Sequence, residues 1–153
     1  MIKLSERLET IANLIDKNET MADIGTDHGF LPVALWERGI CKKIILSDVN
    51  IGPLEKASEN IHTTNPGIQF DLRLGNGLET ILKGEVTTLV IAGMGGVLIT
   101  EILAADLQKS KSFEKTDAAI EKSVNLIMEL MGKSALDSMF DLGKFLFQNV
   151  TKR

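Results

Sequence analysis

One cysteine, two histidines and three prolines are all that this chain of 153 residues holds of those types. Cys41 has no second thiol for an intrachain disulfide, and together with His28 and His62 it falls short of any zinc-ligand pattern. Long apolar runs are missing too. None approaches the ~18 residues a transmembrane helix requires, and the opening MIKLSERLET is charged and amphipathic where a signal peptide would carry an apolar stretch. A cytoplasmic protein is expected. Positive charge is the scarcer sign, with 17 Lys and Arg against 21 Asp and Glu, a net of −4. That balance excludes a generally basic nucleic-acid coat and confines any such contact to a local patch. No internal repeat or low-complexity stretch is evident. What remains, 44% hydrophobic and 25% charged residues, is the composition of a soluble globular protein. At this length the chain can bury roughly two-thirds of its unfolded surface without staples.

Periodicity divides the first two-thirds of the chain into alternating elements. Residues 4–15 place Leu4, Leu8, Ile11, Leu14 and Ile15 on one helical stripe, with Glu6, Arg7 and Glu9 opposite and Ser5 as cap. MADIG (21–25) reads as a strand, TDHG as a turn, and LPVALWERG as a helix with Pro32 in its first turn and Gly39 at its stop. KKIILSDV (42–49) is a buried-strand run, followed by a helix that Pro53 opens and that carries Leu54, Ala57 and Ile61 on one face. IQFDLRL (68–74) alternates Ile68, Phe70, Leu72 and Leu74, which predicts a half-buried strand; a short helix is placed over 78–83. VTTLVIAG (86–93) is a fourth strand, and VLITEILAA after it a helix. This alternation predicts an α/β fold, a Rossmann-like parallel sheet of four strands with helices on both faces. Beyond residue 105 the texture changes to two amphipathic helices, 113–131 and 135–150, without a strand signal.

In an open parallel sheet, ligands bind at the carboxyl ends of the strands where the strand order reverses. The unusual residues cluster there: Asp23 to Gly29, Asp48 and Asn50, Gly75 to Gly77, and Gly93 to Gly96. In the turn DIGTDHG, Gly25 fits the first position of a dinucleotide GxGxxG turn but Asp27 occupies the second. Two unit charges ~4 Å apart repel by about 4 kcal/mol at an effective dielectric of 20, so Asp27 disfavours a diphosphate and with it a nicotinamide oxidoreductase. The same carboxylate suits a ligand with positive charge and no phosphate, such as S-adenosylmethionine, and Asp23 adds a second. Asp48, 23 residues after Gly25, is near the roughly 20-residue offset at which an acidic side chain meets ribose hydroxyls. Asn76 is placed to read an adenine edge with its amide. Blander roles suit several other residues. A lone His28 is more often a satisfied, partly buried histidine than a catalyst. Trp36 is expected in the core or against a helix, Cys41 as an inert small hydrophobe, and Lys42 and Lys43 as a solvated strand start.

LSERLETIANLI, ADIGTDHGFLP, GPLEKASENI, RLGNGL and IAGMGG, in this order, resemble the bacterial tRNA (adenine-22-N1)-methyltransferase family, which consists of class I S-adenosylmethionine enzymes. The resemblance covers about residues 1–105. It implies that Asp23 and Gly25 hold the methionine part of the cofactor, Asp48 the ribose, and Asn76 with Gly77 the adenine, while Gly93 and the rest of GMGG line the transfer site. The family usually carries an acid where Asn76 stands and tends toward Glu where Asp48 stands, so altered cofactor binding is expected. The implied substrate is tRNA. Adenine N1 attacks with its own lone pair, so the enzyme's work is positioning and charge stabilisation. Asp27 is the candidate for the latter, with His28 and Asn60 orienting the substrate.

Two units follow: a cofactor-binding domain over 1–105 and a helical segment over 106–153. Family members continue past GMGG through further strands, which are not visible here, so strand four is expected to leave an open edge for the C-terminal helices, a second copy or a partner protein. The alternative to catalysis is a truncated or fused relative that binds cofactor or a partner protein and transfers nothing.

Overall fold

Each of the four short apolar runs becomes a strand: β1 (Glu19–Ile24), β2 (Cys41–Asp48), β3 (Asp71–Leu74) and β4 (Thr88–Ile91), in a computed structural model that describes residues 1–112. Helix α1 (Glu6–Leu14) precedes β1, while α2 (Phe30–Glu37) and α3 (Ile51–Thr64) connect the next strands. A 3-10 turn (Gly77–Thr80) follows β3, and α4 (Gly96–Ala105) and α5 (Leu107–Ser112) follow β4. All pairings are parallel and the strand order is β3-β2-β1-β4. The chain steps outward from β1 to β3 and then returns to the other side of β1, so its order reverses between β1 and β4. This is the predicted α/β architecture.

Helix boundaries follow local chemistry. The Ser5 hydroxyl accepts from the Leu8 amide and starts α1. Pro32 and Pro53 are each the third residue of their helix, where a missing N–H leaves no intrahelical bond unmade. Leu54, Ala57 and Ile61 are the buried face of α3, as their spacing predicts. Helix α2 buries every residue from Leu31 to Leu35, because it packs on β2 between α1 and α3.

The sheet is covered on both faces. On one, Ile11, Met21, Leu35, Ile44 and Leu46 join α1, α2 and α3 to the strands. On the other, Ala22, Ile24, Ile45 and Ile91 meet Leu78, Ile81, Ile99 and Ile102. Full burial of such side chains is worth about 1.5–3 kcal/mol each. Cys41 is fully buried, and burial pushes its thiol up to about 11, as expected of an inert hydrophobe. Trp36 packs against the core with its ring edge-on to Phe70, and Lys42 and Lys43 are solvated.

One expectation is corrected. The strand read over 68–74 begins only at Asp71, and it is an exposed edge rather than half-buried: Leu72 and Leu74 are exposed, and Arg73, on the opposite face, is the more sheltered residue. Its alternation is real, but β3 lies at the sheet margin, where little covers the apolar side, while Arg73 is drawn in by Asp71 and Glu85. At the opposite margin β4 pairs only with β1 among the described residues. The helices read over 113–131 and 135–150, and the contacts assigned to them, lie outside the described residues. Within those residues no helix is long and apolar enough to cross a membrane.

Candidate functional site

The loops at the carboxyl ends of all four strands enclose one cleft of about 430 Å³. Eight of the nine residues singled out from the sequence line it: Asp23, Gly25, Asp27, His28, Asp48, Asn76, Gly77 and Gly93. Asn60 does not. It stands behind the first loop on α3, where its amide donates to the carbonyl of His28 at 3.0 Å and ties that loop down.

Asp23, next to last in β1, is almost wholly buried, and its carboxylate accepts from the Thr26 hydroxyl at 2.8 Å. Burial drives its pKa up to about 6, against the Thr26 bond and with help from the charge of Asp48. Gly25 follows with φ +75°, and a Cβ there would collide with the Met94 methyl, so both backbone conformation and close approach require glycine. The Gly25 and Thr26 amides both donate to the Ser47 carbonyl, which anchors the turn to β2.

Asp27 also sits in the left-handed region, at φ +53°, with its side chain exposed at the cleft mouth. It lies 2.9 Å from His28 Nδ1, and the His28 ring stacks on Phe30 with centroids 5.3 Å apart and planes inclined by 12°. Asp48 is buried at the end of β2; its Oδ1 accepts from the Asn50 amide at 2.9 Å and shapes its own turn. Asn76 is exposed, and its amide makes no hydrogen bond among the described residues.

Sequence reasoning passed over Arg7, which it assigned to the solvent face of α1. Arg7 lines the cleft, with Nη2 3.5 Å from where a Cβ on Gly93 would stand, and it makes no ion pair with the described residues. Helical spacing alone carries no signal for it, because a polar residue opposite an apolar stripe looks the same whether it meets water or a ligand. Met94, Phe30 and the apolar wall of Leu8, Val49, Leu98 and Ile102 were likewise not singled out. Three carboxylates, one guanidinium and an apolar wall fit a ligand with a sugar diol, a positive centre and one acidic group.

A cleft at the strand-order switch of a parallel sheet, with a glycine turn on one side and an acid at the end of β2, defines a doubly wound α/β domain with its ligand cleft in the place that fold uses. The methyltransferase domain family matches residues 4–132, and the chain belongs to that family. The match runs past residue 105, beyond the segment in which the resemblance was read. The tRNA (adenine(22)-N(1))-methyltransferase of Bacillus subtilis (strain 168) is 38% identical over 114 residues, which cover 74% of this chain and 48% of that protein. The crystal structure of the B. subtilis m1A22 tRNA methyltransferase TrmK superposes with a TM-score of 0.66 at 38% identity, over 71% of this chain and 47% of that one. TrmK of M. capricolum in complex with S-adenosyl-homocysteine superposes with a TM-score of 0.63 at 38% identity, over 69% and 48%. These likenesses bear out the resemblance read from the sequence. The chain spans about half the length of the curated relatives it matches.

Proposed function

We propose that this domain binds S-adenosylmethionine and serves methyl transfer to N1 of an adenine in tRNA, at position 22 by analogy with its relatives. The observation that carries the reading is the convergence of Asp23, Asp27, Asp48 and Arg7 on one cleft. Their charges match the groups of this cofactor, and three carboxylates oppose a diphosphate. Asp48 would accept from the ribose diol and Asn76 with Gly77 would meet the adenine. Asp23 and Gly25 would lie along the methionine part, whose ammonium and sulfonium centres offset the buried charge of Asp23, and Arg7 would take the α-carboxylate. When bound, the cofactor supplies a methyl group on a sulfonium, open to a lone pair.

The residues at the cleft mouth suit the incoming base. The stacked His28–Phe30 pair offers an aromatic face, and Asp27, held beside His28, stabilises the positive charge an adenine gains on N1. Asn60 acts through the His28 carbonyl as a positioning residue. Orientation of the two reactants alone is worth up to ~7–11 kcal/mol. A base within folded tRNA has to be turned out to reach this mouth. A cytoplasmic location, where tRNA is met, goes with that substrate.

Calorimetry with S-adenosylmethionine, followed by transfer of a labelled methyl group to tRNA, tests the reading. No cofactor binding by correctly folded protein refutes it. Binding without transfer to any tRNA marks the second reading, a domain that holds cofactor or a partner protein and does not catalyse.

A further inference from the structure

Thr80, the last residue of the 3-10 turn, uses three different parts of itself on one loop. Its hydroxyl lies 2.8 Å from the hydroxyl of Ser47 and donates to the Gly77 carbonyl at 3.2 Å. Its methyl group stands 2.5 Å from where a Cβ on Gly75 would be, so it fills the space that Gly75 leaves. Its carbonyl accepts from Arg73 Nη1 at 2.6 Å, and Arg73 is itself held by Glu85 and Asp71. Ser47 is fully buried and directly precedes Asp48 on β2. The Ser47–Thr80 bond therefore links the strand that presents Asp48 to the turn that presents Asn76. The Gly75 amide bonded to the Asp48 carbonyl at 2.9 Å is a second link between them.

We infer that Thr80, backed by Ser47 and Arg73, is the positioning residue that holds the turn Gly75–Gly77 in register with Asp48 and so sets selectivity for the purine of the ligand. The inference rests on the proposed binding of an adenosine cofactor. Asn76 has no side-chain hydrogen bond of its own among the described residues, so its aim depends on the backbone that Thr80 clamps.

Thr80→Val keeps the shape and the methyl group but removes the hydroxyl, whereas Thr80→Ser keeps the hydroxyl. Two measurements on the full chain test the role: hydrogen exchange of the segment 74–81 without ligand, and the affinity ratio of S-adenosylhomocysteine to S-inosylhomocysteine, which differ at the purine edge. Thr80→Val is expected to speed local exchange and to lower the ratio about tenfold, the loss of one hydrogen bond's worth of aim, with Thr80→Ser restoring it. If Thr80→Val fails to fold because the Ser47 hydroxyl is left buried and unpaired, Ser47→Ala/Thr80→Val removes both partners and takes its place. A merely structural Thr80 would weaken both ligands alike; an unchanged ratio overturns the inference, whether or not exchange in 74–81 speeds up. Failure of the unmodified chain to bind S-adenosylhomocysteine overturns the cofactor reading and the selectivity with it, while the exchange comparison still judges the clamp.

Discussion

Replacing Asp23 by Asn should make the ligand-free protein more stable at neutral pH while weakening its hold on cofactor. Asp23 is buried, and burial lifts its carboxyl from the usual 3.8 to about 6. Well below pH 3.8 the side chain is protonated in both the folded and the unfolded chain and costs nothing. Between about 4 and 6 the unfolded chain gives up the proton and the folded one keeps it, so stability falls as pH rises. Above 6 the folded protein carries a buried carboxylate, at a cost that levels off near 3 kcal/mol, at about 1.4 kcal/mol for each pH unit between the two values. Asparagine has a similar shape and can still accept from the Thr26 hydroxyl, so Asp23→Asn removes the charge and keeps the bond.

The expected gain at pH 7.5 is up to about 3 kcal/mol in urea unfolding, or on the order of 10 °C in melting temperature. At pH 3 the two proteins should unfold alike. A cationic ligand favours the ionised form, so affinity of the unmodified protein for S-adenosylmethionine should rise with pH through 6, with proton release seen in the buffer dependence of the binding heat. Asp23→Asn should bind more weakly and lose that dependence. An Asp23→Asn protein no more stable than the native one at pH 7.5, or a difference that persists unchanged at pH 3, refutes the reasoning.

Glu85 answers pH in the opposite sense. Two bonds from Arg73 and one from the Leu82 amide hold its carboxyl down at about 2, so the stability it adds is full above its usual 4.5 and is lost as pH falls toward 2. Glu85→Gln should therefore cost about 1–3 kcal/mol at pH 7 and almost nothing in acid, as followed by circular dichroism. Arg7→Ala should leave stability within about 0.5 kcal/mol, since the side chain is exposed, yet weaken S-adenosylhomocysteine binding about tenfold. Its effect should vanish for methylthioadenosine, which lacks the carboxylate, and calorimetry with both ligands reads the difference. Gly25→Ala forces a side chain into φ +75° and against Met94, and should destabilise by about 1–3 kcal/mol and abolish cofactor binding. Gly25→Ala/Met94→Ala should recover the steric part of that loss in a melting experiment and leave the backbone part.

Features expressed along a few neighbouring residues were legible in the sequence. The stripe of Leu54, Ala57 and Ile61 is one, because helical spacing maps directly onto a buried face. The carboxylates Asp23 and Asp48 are another, because a charged residue near the end of an apolar strand run has to be near solvent or a ligand, and Asp27 lies in the turn just beyond. What depends on which strands become neighbours was not legible. The alternation in IQFDLRL is a valid strand pattern, but only the order β3-β2-β1-β4 makes β3 an edge and leaves Leu72 and Leu74 exposed. Arg7 lines the cleft together with the turn after β4, a juxtaposition of residues 7 and 93 that no local pattern announces. The same holds for Ser47 and Thr80, two unremarked hydroxyls until β2 and the 3-10 turn bring them to 2.8 Å. Chemistry placed by charge at strand ends can be read from the chain, whereas the groups that aim that chemistry are set by tertiary neighbours, and it is among these that single substitutions should separate affinity from selectivity.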